Sequence, residues 1–475
     1  MTMTNERGAP HLTRRDAIGG ALGAVALASA SRAIGKGAAK RPNILYIMAD
    51  DMGYADLSCY GRQEYETVVL DRLAREGMRF THAYANSAVC TASRVALITG
   101  RYQYRLPIGL QEPLGLQDVG LPPEMPTIAS LLRDQGYATS LIGKWHLGSL
   151  PKYDPLKSGY DEFWGLRGGG VDYYTHKYNG QLDLWDGDTK VEDAGYLTDL
   201  LAARTMQTLD QRQRDGKPFF ISLHFTAPHW PWEGPDAEGK AESERIDAST
   251  DPARYFHYDG GKMETYAAMV RSLDANIGKV LAKLAALGMA EDTIVIFTSD
   301  NGGERFANTW PFNGKKTELL EGGLRVPSIV RWPGVTAPGS TSEQPTMLMD
   351  WLPTMLAAAG GRPDPRYPTD GMDIRAALQG TTLPERILYW RFKNHDQKAV
   401  RRGRMKYLSI GGNEFLFDVV ADPLERANLK DRRPEEFAAL KQAFAQWNAG
   451  MLNDPDAPSF GFTARELADH FGVDD

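Results

Sequence analysis

Cys90 is one of two cysteines in the chain, and it opens a segment whose residue types could do chemistry. Cys90-Thr91-Ala92-Ser93-Arg94 is followed by the apolar run Val95-Ala96-Leu97-Ile98 and then by Thr99-Gly100. A hydroxyl residue beside the cysteine, an Arg four positions on and an apolar run stopped by Gly predict a loop entering a helix. Positions four apart on a helix share a face, so Arg94 points its guanidinium toward Cys90 or whatever Cys90 becomes. The N–H groups of a first helical turn favour negative charge. The segment therefore predicts a reactive sulfur, or a group made from it, beside an anionic substrate. Cys59, in Asp56-Leu57-Ser58-Cys59-Tyr60-Gly61, is read as a buried structural thiol.

Oxygen donors recur at the ends of apolar runs. Asn43 to Met48 is continuously apolar after its first residue, as expected of a strand buried on both faces of a parallel sheet, and it stops in Ala49-Asp50-Asp51-Met52-Gly53. Open α/β sheets place ligands at the carboxyl ends of their strands. Two adjacent carboxylates there repel each other unless a cation intervenes. The run Thr293 to Thr298 stops likewise in Ser299-Asp300-Asn301-Gly302-Gly303. Such hard donors select Ca²⁺ or Mg²⁺ over zinc. The strand expected over Tyr137–Ile142 runs into Gly143-Lys144-Trp145-His146, where Lys144 and His146 share a side if the chain stays extended. Pro218 to Phe225 ends in Ala227-Pro228-His229-Trp230-Pro231, whose prolines present the imidazole rigidly. Lys315-Lys316 leads through Glu321-Gly322-Gly323 into a strand expected over Leu324–Val330. A metal, three cations (Arg94, Lys144, Lys316) and two histidines suit transfer of a tetrahedral oxyanion group. The cations neutralise its oxygens and the imidazoles manage protons.

The elements that must position these residues alternate between strand and helix. Helices are expected over Val68–Glu76, Thr127–Gln135, Tyr196–Arg212 and Met263–Leu287, which predicts an α/β fold with a large, mixed, mostly parallel sheet sandwiched by helices. Gly159–Asp193 reads as long irregular loops and Glu233–Gly261 as a surface excursion. From about Pro384 the texture changes to short strands and a helix over Pro434–Met451, a smaller antiparallel sheet with a covering helix. The predicted division is 40–383 for the α/β body and 384–475 for the smaller unit. At 475 residues the chain is too long for one simple core. A formal charge of −7 argues against nucleic acid but not against a small anion met by a local cationic cluster. Thr13-Arg14-Arg15-Asp16, the mildly apolar Ala17–Ala30 and the small residues after it predict a twin-arginine export signal over 1–33. No later run is long and apolar enough to cross a bilayer. The expected location is periplasmic or extracellular.

Six blocks in order resemble the formylglycine-dependent sulfatases (arylsulfatases) of the alkaline phosphatase superfamily. They are Asp50-Asp51, Cys90-Thr91-Ala92-Ser93-Arg94, Gly143-Lys144-Trp145-His146, Ala227-Pro228-His229, Ser299-Asp300-Asn301-Gly302 and Lys316 through Glu321-Gly322-Gly323, and the agreement runs from Pro42 to about Leu429. Ala92 stands where the family more often has Pro. The resemblance implies an alkaline phosphatase-like fold and a sulfuric ester hydrolase. It implies that a formylglycine-generating enzyme oxidises Cys90 to formylglycine, whose hydrate attacks sulfur. It further implies one Ca²⁺ held by Asp50, Asp51, Cys90, Asp300 and Asn301. Arg94 would orient the nucleophile, Lys144 and Lys316 would hold sulfate oxygens, His229 would protonate the leaving oxygen and His146 would take the proton of the second hydroxyl. Lys316 rather than Lys315 is chosen because it stands five before Glu321.

Two other readings use the same residues: a phosphodiester or phosphonate monoester hydrolase on this scaffold, and a non-catalytic sulfated-glycan binder. The expected substrate is an aryl sulfate or, in nature, a sulfated saccharide. Tyr173-Tyr174, Trp185, Trp230 and Trp232 are candidates to stack on sugar rings, and Arg391, Lys393 and His395 to meet a further anionic group.

Overall fold

The computed structural model describes residues 1–2, 41–110, 118–178, 180–251, 254 and 260–454. The export signal expected over 1–33 therefore lies outside the described residues, save for its first two.

Ten strands build one mixed sheet in the order Ser340–Ser342, Met78–Phe80, Ser328–Arg331, Thr293–Ser299, Asn43–Ala49, Phe219–His224, Ala138–Lys144, Glu162–Leu166, Trp185–Asp186 and Thr189–Lys190. The five from Thr293–Ser299 to Glu162–Leu166 are parallel. Antiparallel neighbours flank them on each side. The central strand is apolar throughout because both of its faces are covered. Ile44, Tyr46 and Met48 pack with Val95 and Ile98 of the Cys90–Thr99 helix, Leu132 of Ile128–Asp134 and Leu352 of Trp351–Ala358. Leu45, Ile47 and Ala49 pack with Leu73 of Val68–Glu76, Leu201 of Leu197–Asp215 and Leu273 of Met263–Ala286. Burying each large aliphatic side chain contributes about 1.5–3 kcal/mol.

Three local expectations change. Glu162–Leu166, inside the stretch read as irregular, is a strand parallel to Ala138–Lys144. It contains Gly165, whose added Cβ would lie 2.1 Å from the Gly143 oxygen, so the close approach of the two strands excludes a side chain. The polar excursion contains the helix Ala237–Asp247, which Asp236 caps by accepting from the Gly239 N–H at 2.8 Å. The strand expected from Leu324 begins only at Ser328, because Glu321–Leu324 forms a helical turn.

The strands Ile387–Phe392, Gln397–Arg402, Met405–Ile410 and Asn413–Asp418 form a separate antiparallel sheet in sequential order. One face carries Val400, Tyr407 and Leu416 against Leu440 and Phe444 of the Pro434–Asn448 helix. The other carries Leu388, Trp390 and Leu408 against Tyr84, Ala88, Ala96 and Leu324 of the α/β body. Gln397 ties the two together: its Oε1 accepts from the Leu319 N–H and its Nε2 donates to the Thr317 carbonyl, both at 2.8 Å. The small sheet thus clamps the segment that carries Lys316.

Candidate active site

Asp50 and Asp51 follow the central strand, and Asp51 adopts a left-handed conformation, φ 59°, that Asp tolerates better than most residues. Its N–H donates to Asp300 Oδ1 at 3.2 Å, and the Met52 N–H donates to Ser299 Oγ at 2.9 Å. These bonds lock the ends of two neighbouring parallel strands together, so three carboxylates share one small volume. Cys90 is the first residue of its helix, and its Sγ lies 3.5 Å from Asp50 Oδ1 and 3.6 Å from Asp51 Oδ1. Ser93 fixes the approach to it, accepting from the Ser87 N–H and donating to the Ser87 carbonyl. Donor atoms of Asp50, Asp51, Cys90 and Asp300 all lie within 4.8 Å of one another.

Arg94 meets Cys90 across shared carboxylates, its Nη2 lying 3.3 Å from Asp50 and 2.9 Å from Asp300. Lys144, the last residue of its strand, places Nζ 2.7 Å from Asp50 Oδ2. Lys316 places Nζ 2.7 Å from Asp51 Oδ2, and its own N–H donates to the Gly303 carbonyl at 3.0 Å. Of the two adjacent lysines, Lys316 is the one brought to the carboxylates. The sequence-predicted residues are thus gathered in one place: Asp50, Asp51, Cys90, Arg94, Lys144, His146, His229, Asp300, Asn301 and Lys316 are all buried.

The two histidines arrive differently. His229 is held by its Nδ1 on the Trp230 carbonyl, 2.5 Å away, which leaves Nε2 facing Asp51 at 3.4 Å. His146 reaches the site although the chain is not extended there. It leaves the strand after Lys144 and turns with φ 57° at His146, so a turn and not β alternation sets its side. The Thr91 hydroxyl donates to the His146 carbonyl at 3.1 Å. Neither ring nitrogen of His146 has a hydrogen-bond partner among the described residues. Gly169 and Gly170 line both rings, and a Cβ on Gly169 would stand 2.6 Å from the His146 ring.

Burial, opposed by Lys144, leaves the Asp50 carboxyl well above its usual range. Burial acts on Asp51 and Asp300 too, but Lys316 above all holds Asp51 below that range and Arg94 with Lys144 does the same for Asp300. Burial, more than the facing lysines, keeps both imidazoles neutral, His229 down to about 3. Burial also raises the Cys90 thiol well above its ordinary value, so the residue as encoded is a poor thiolate.

Sequence reasoning missed several contributors. His224, at the end of its strand, sits with Nδ1 3.1 Å from the Lys144 carbonyl, which also accepts from Arg94 Nη1 at 3.2 Å. A lone histidine inside an apolar strand gave no signal. The Gly168-Gly169-Gly170 run did carry one, since three glycines permit close approach of backbone to a ring. Several expected substrate contacts are instead structural. Tyr173, Trp230 and Trp232 are buried, and Trp185 lies under the Arg167 and Lys190 cations. Arg391 is buried and donates to Asn448 Oδ1 and the Leu452 carbonyl, tying down the C-terminal helix. Cys59 is half-buried rather than buried.

The sulfatase family model matches residues 42–361. Arylsulfatase A of Homo sapiens is 33% identical over 428 residues, covering 82% of this chain and 79% of that protein. The N-acetylgalactosamine-6-sulfatase of Canis lupus familiaris is 31% identical over 401 residues, 78% of this chain and 72% of that one. A crystal structure of Ps i-CgsB in complex with k-i-k-neocarrahexaose superposes with a TM-score of 0.79 at 28% identity, over 89% of this chain and 95% of that chain. The phosphonate monoester hydrolase of Agrobacterium radiobacter, at 19% identity and a TM-score of 0.62, shares the fold alone. With the strand-end acidic pairs, the Cys90 helix and the mixed sheet gathered as described, the chain belongs to the sulfatase family of the alkaline phosphatase superfamily and is a sulfuric ester hydrolase.

Proposed function

We propose that the protein releases inorganic sulfate from a sulfated carbohydrate, working with formylglycine made from Cys90 and with one Ca²⁺ on Asp50, Asp51, Asp300, Asn301 and residue 90. The observation that carries this reading is the convergence of three buried carboxylates from two strand ends on the side chain of Cys90. The donor set fits a hard cation: it is oxygen-rich, and Asn301 Oδ1 is buried with no hydrogen-bond partner among the described residues. Bound there, Ca²⁺ would draw electron density from the sulfate oxygens, and the hydrated aldehyde would supply an oxygen nucleophile.

The chain's own residues do the rest. Arg94, fixed by Asp50 and Asp300, orients residue 90. Lys144 and Lys316 present ammonium groups at the carboxylate rim, where the ester oxygens need neutralising. His229, its ring fixed through Nδ1 on the Trp230 carbonyl, protonates the leaving oxygen from Nε2, for which the ring must carry its second proton. His146, with both nitrogens unclaimed, takes the proton of the remaining hydroxyl. Two similarities support a saccharide as the alcohol: the N-acetylgalactosamine-6-sulfatase sequence and the neocarrahexaose complex. Maturation by a formylglycine-generating enzyme and export through residues 1–33 complete the proposal.

The test is sulfate release by protein co-produced with a formylglycine-generating enzyme, on position-defined sulfated sugars beside an aryl sulfate. Turnover of at least one sulfated sugar with kcat/KM above that of the aryl ester is expected. Good aryl sulfate turnover with every sugar left intact would overturn the carbohydrate assignment.

A further inference from the structure

Lys316 does not serve the acidic floor alone. Its Nζ stands 2.7 Å from Asp51 Oδ2 and 3.0 Å from Oε1 of Glu304, whose side chain is 13% exposed. Glu304 follows Gly302-Gly303, the turn beyond the second acidic pair, and is not among the residues whose donor atoms cluster with Cys90. It therefore adds a negative charge at the edge of the anion site without belonging to the cation site.

We propose that Glu304 sets which anion charge the site accepts, favouring a monoanionic sulfate ester over dianions. The inference rests on the proposed sulfate-ester reading. Asp50, Asp51, Asp300 and Glu304 carry four negative formal charges, and Arg94, Lys144 and Lys316 carry three positive ones. A divalent cation on the carboxylates brings the site to a net of one positive charge, which matches a sulfate monoester. Without Glu304 the net is two, which matches a dianion.

The distinction matters twice in the reaction. A phosphate monoester is close to a dianion at neutral pH, so Glu304 disfavours it relative to the sulfate ester of the same alcohol. Hydrolysis adds water across the S–O bond, and the hydrogensulfate released loses a proton, so the monoanionic substrate becomes a dianionic product. The same carboxylate that tolerates the ester then repels the product and speeds its release. Coulomb energy scales with the product of the charges, so a dianion feels Glu304 twice as strongly as a monoanion, and the two fold-changes are related as a square.

Calorimetry on calcium-loaded protein that retains unconverted Cys90, and so does not turn over, reads this directly. The probes at pH 8 are methyl sulfate, inorganic sulfate and methyl phosphate. Glu304→Gln is expected to tighten methyl sulfate about threefold and the two dianions about tenfold, while Glu304→Asp keeps the wild-type ratio. An equal change on mono- and dianions, or weaker binding of all three, would show that Glu304 merely tethers Lys316 and would overturn the proposal. If wild-type protein binds none of the probes, the sulfate site itself is misplaced and the underlying reading falls first. Near-native melting of Glu304→Asp separates a charge effect from misfolding.

Discussion

The strand-end site and the charge cluster between the α/β body and the small sheet are both buried, and both pair carboxylates with Lys and Arg. In the second cluster, Glu321 accepts from the Tyr84 hydroxyl and Arg325 Nε at 2.6 Å each and from Lys406 Nζ at 3.0 Å. Glu425 pairs with the same Lys406 at 2.9 Å and accepts from the Glu321 N–H at 2.7 Å. Every one of these groups joins one element to another. In the strand-end site the carboxylates stand side by side and share their cations. Asn301 Oδ1 and both nitrogens of His146 are left over there. Buried charge marks both regions, and Arg325 Nη2 is left over in the second as well, but only the strand-end site leaves an imidazole and an amide oxygen beside three clustered carboxylates. Glu321 belongs to a sequence block shared with sulfatases, yet its carboxylate holds the Lys316 segment against the small sheet instead of touching the reacting atoms.

If that contrast is right, substitutions in the two clusters separate activity from stability. Asp51→Asn should lower turnover by at least about 10³-fold while leaving Tm near that of the wild type, and added Ca²⁺ should no longer raise Tm. Kinetics and calcium-dependent melting on the same sample check it. A Tm loss with turnover of the folded fraction intact would make Asp51 structural. Chelation of wild-type protein should abolish activity and lower Tm, with recovery on adding Ca²⁺. A ligand at about 1,000 times its Kd stabilises by about 4 kcal/mol, so the shift should be easily read.

Lys406→Met should do the reverse of Asp51→Asn. Breaking a buried ion pair leaves uncompensated charge and costs about 3–5 kcal/mol, so denaturant unfolding should show a large loss while kcat of the folded enzyme changes little. The same cluster should also impose a pH slope. Burial, with Lys406 opposing and Glu321 adding to it, pushes the Glu425 carboxyl from 4.5 up to about 7. The folded state thus holds a proton that the unfolded chain has released, and stability falls as pH rises between those two values. Glu425→Gln should flatten Tm against pH in that window; an unchanged slope would exclude Glu425 as its source.

The smallest effect concerns an exposed aromatic side chain. Trp310 is 65% exposed in the loop between Glu304 and Lys316, held by the Trp310 N–H on Asn308 Oδ1 and by Phe312 packing on Tyr54. Trp310→Ala should reduce kcat/KM on a sulfated oligosaccharide about threefold to tenfold, the order of one lost stacking contact, with little change on an aryl sulfate. Equal losses on both would place Trp310 outside sugar recognition.

Much of the site was legible in the sequence because its residues lie just past apolar runs. A strand buried on both faces writes itself as unbroken hydrophobicity, and the residues beyond its carboxyl end face the ligand side. Asp50-Asp51 and Asp300-Asn301 were found this way, whereas the Cys90 helix was found from its residue types and the apolar run that follows them. Glu162–Leu166 was not, because Gly165, which close approach to Gly143 requires, breaks the strand pattern. Ala237–Asp247 was missed because a polar surface helix has no apolar stripe to reveal it. The tryptophans near His229 were misjudged for another reason: residue type announces an aromatic but not which side of it is covered. Trp310, unremarkable in sequence, is the one the fold leaves open.

The central claim is that the nucleophile is an oxygen on converted Cys90 and not the encoded thiol. Peptide mass spectrometry of the Cys90-containing segment, run beside sulfate release on the same preparations made with and without a formylglycine-generating enzyme, tests it most directly. The aldehyde mass at residue 90 and turnover should rise together, with unconverted protein inactive. Equal turnover by protein whose residue 90 is entirely cysteine would contradict the account.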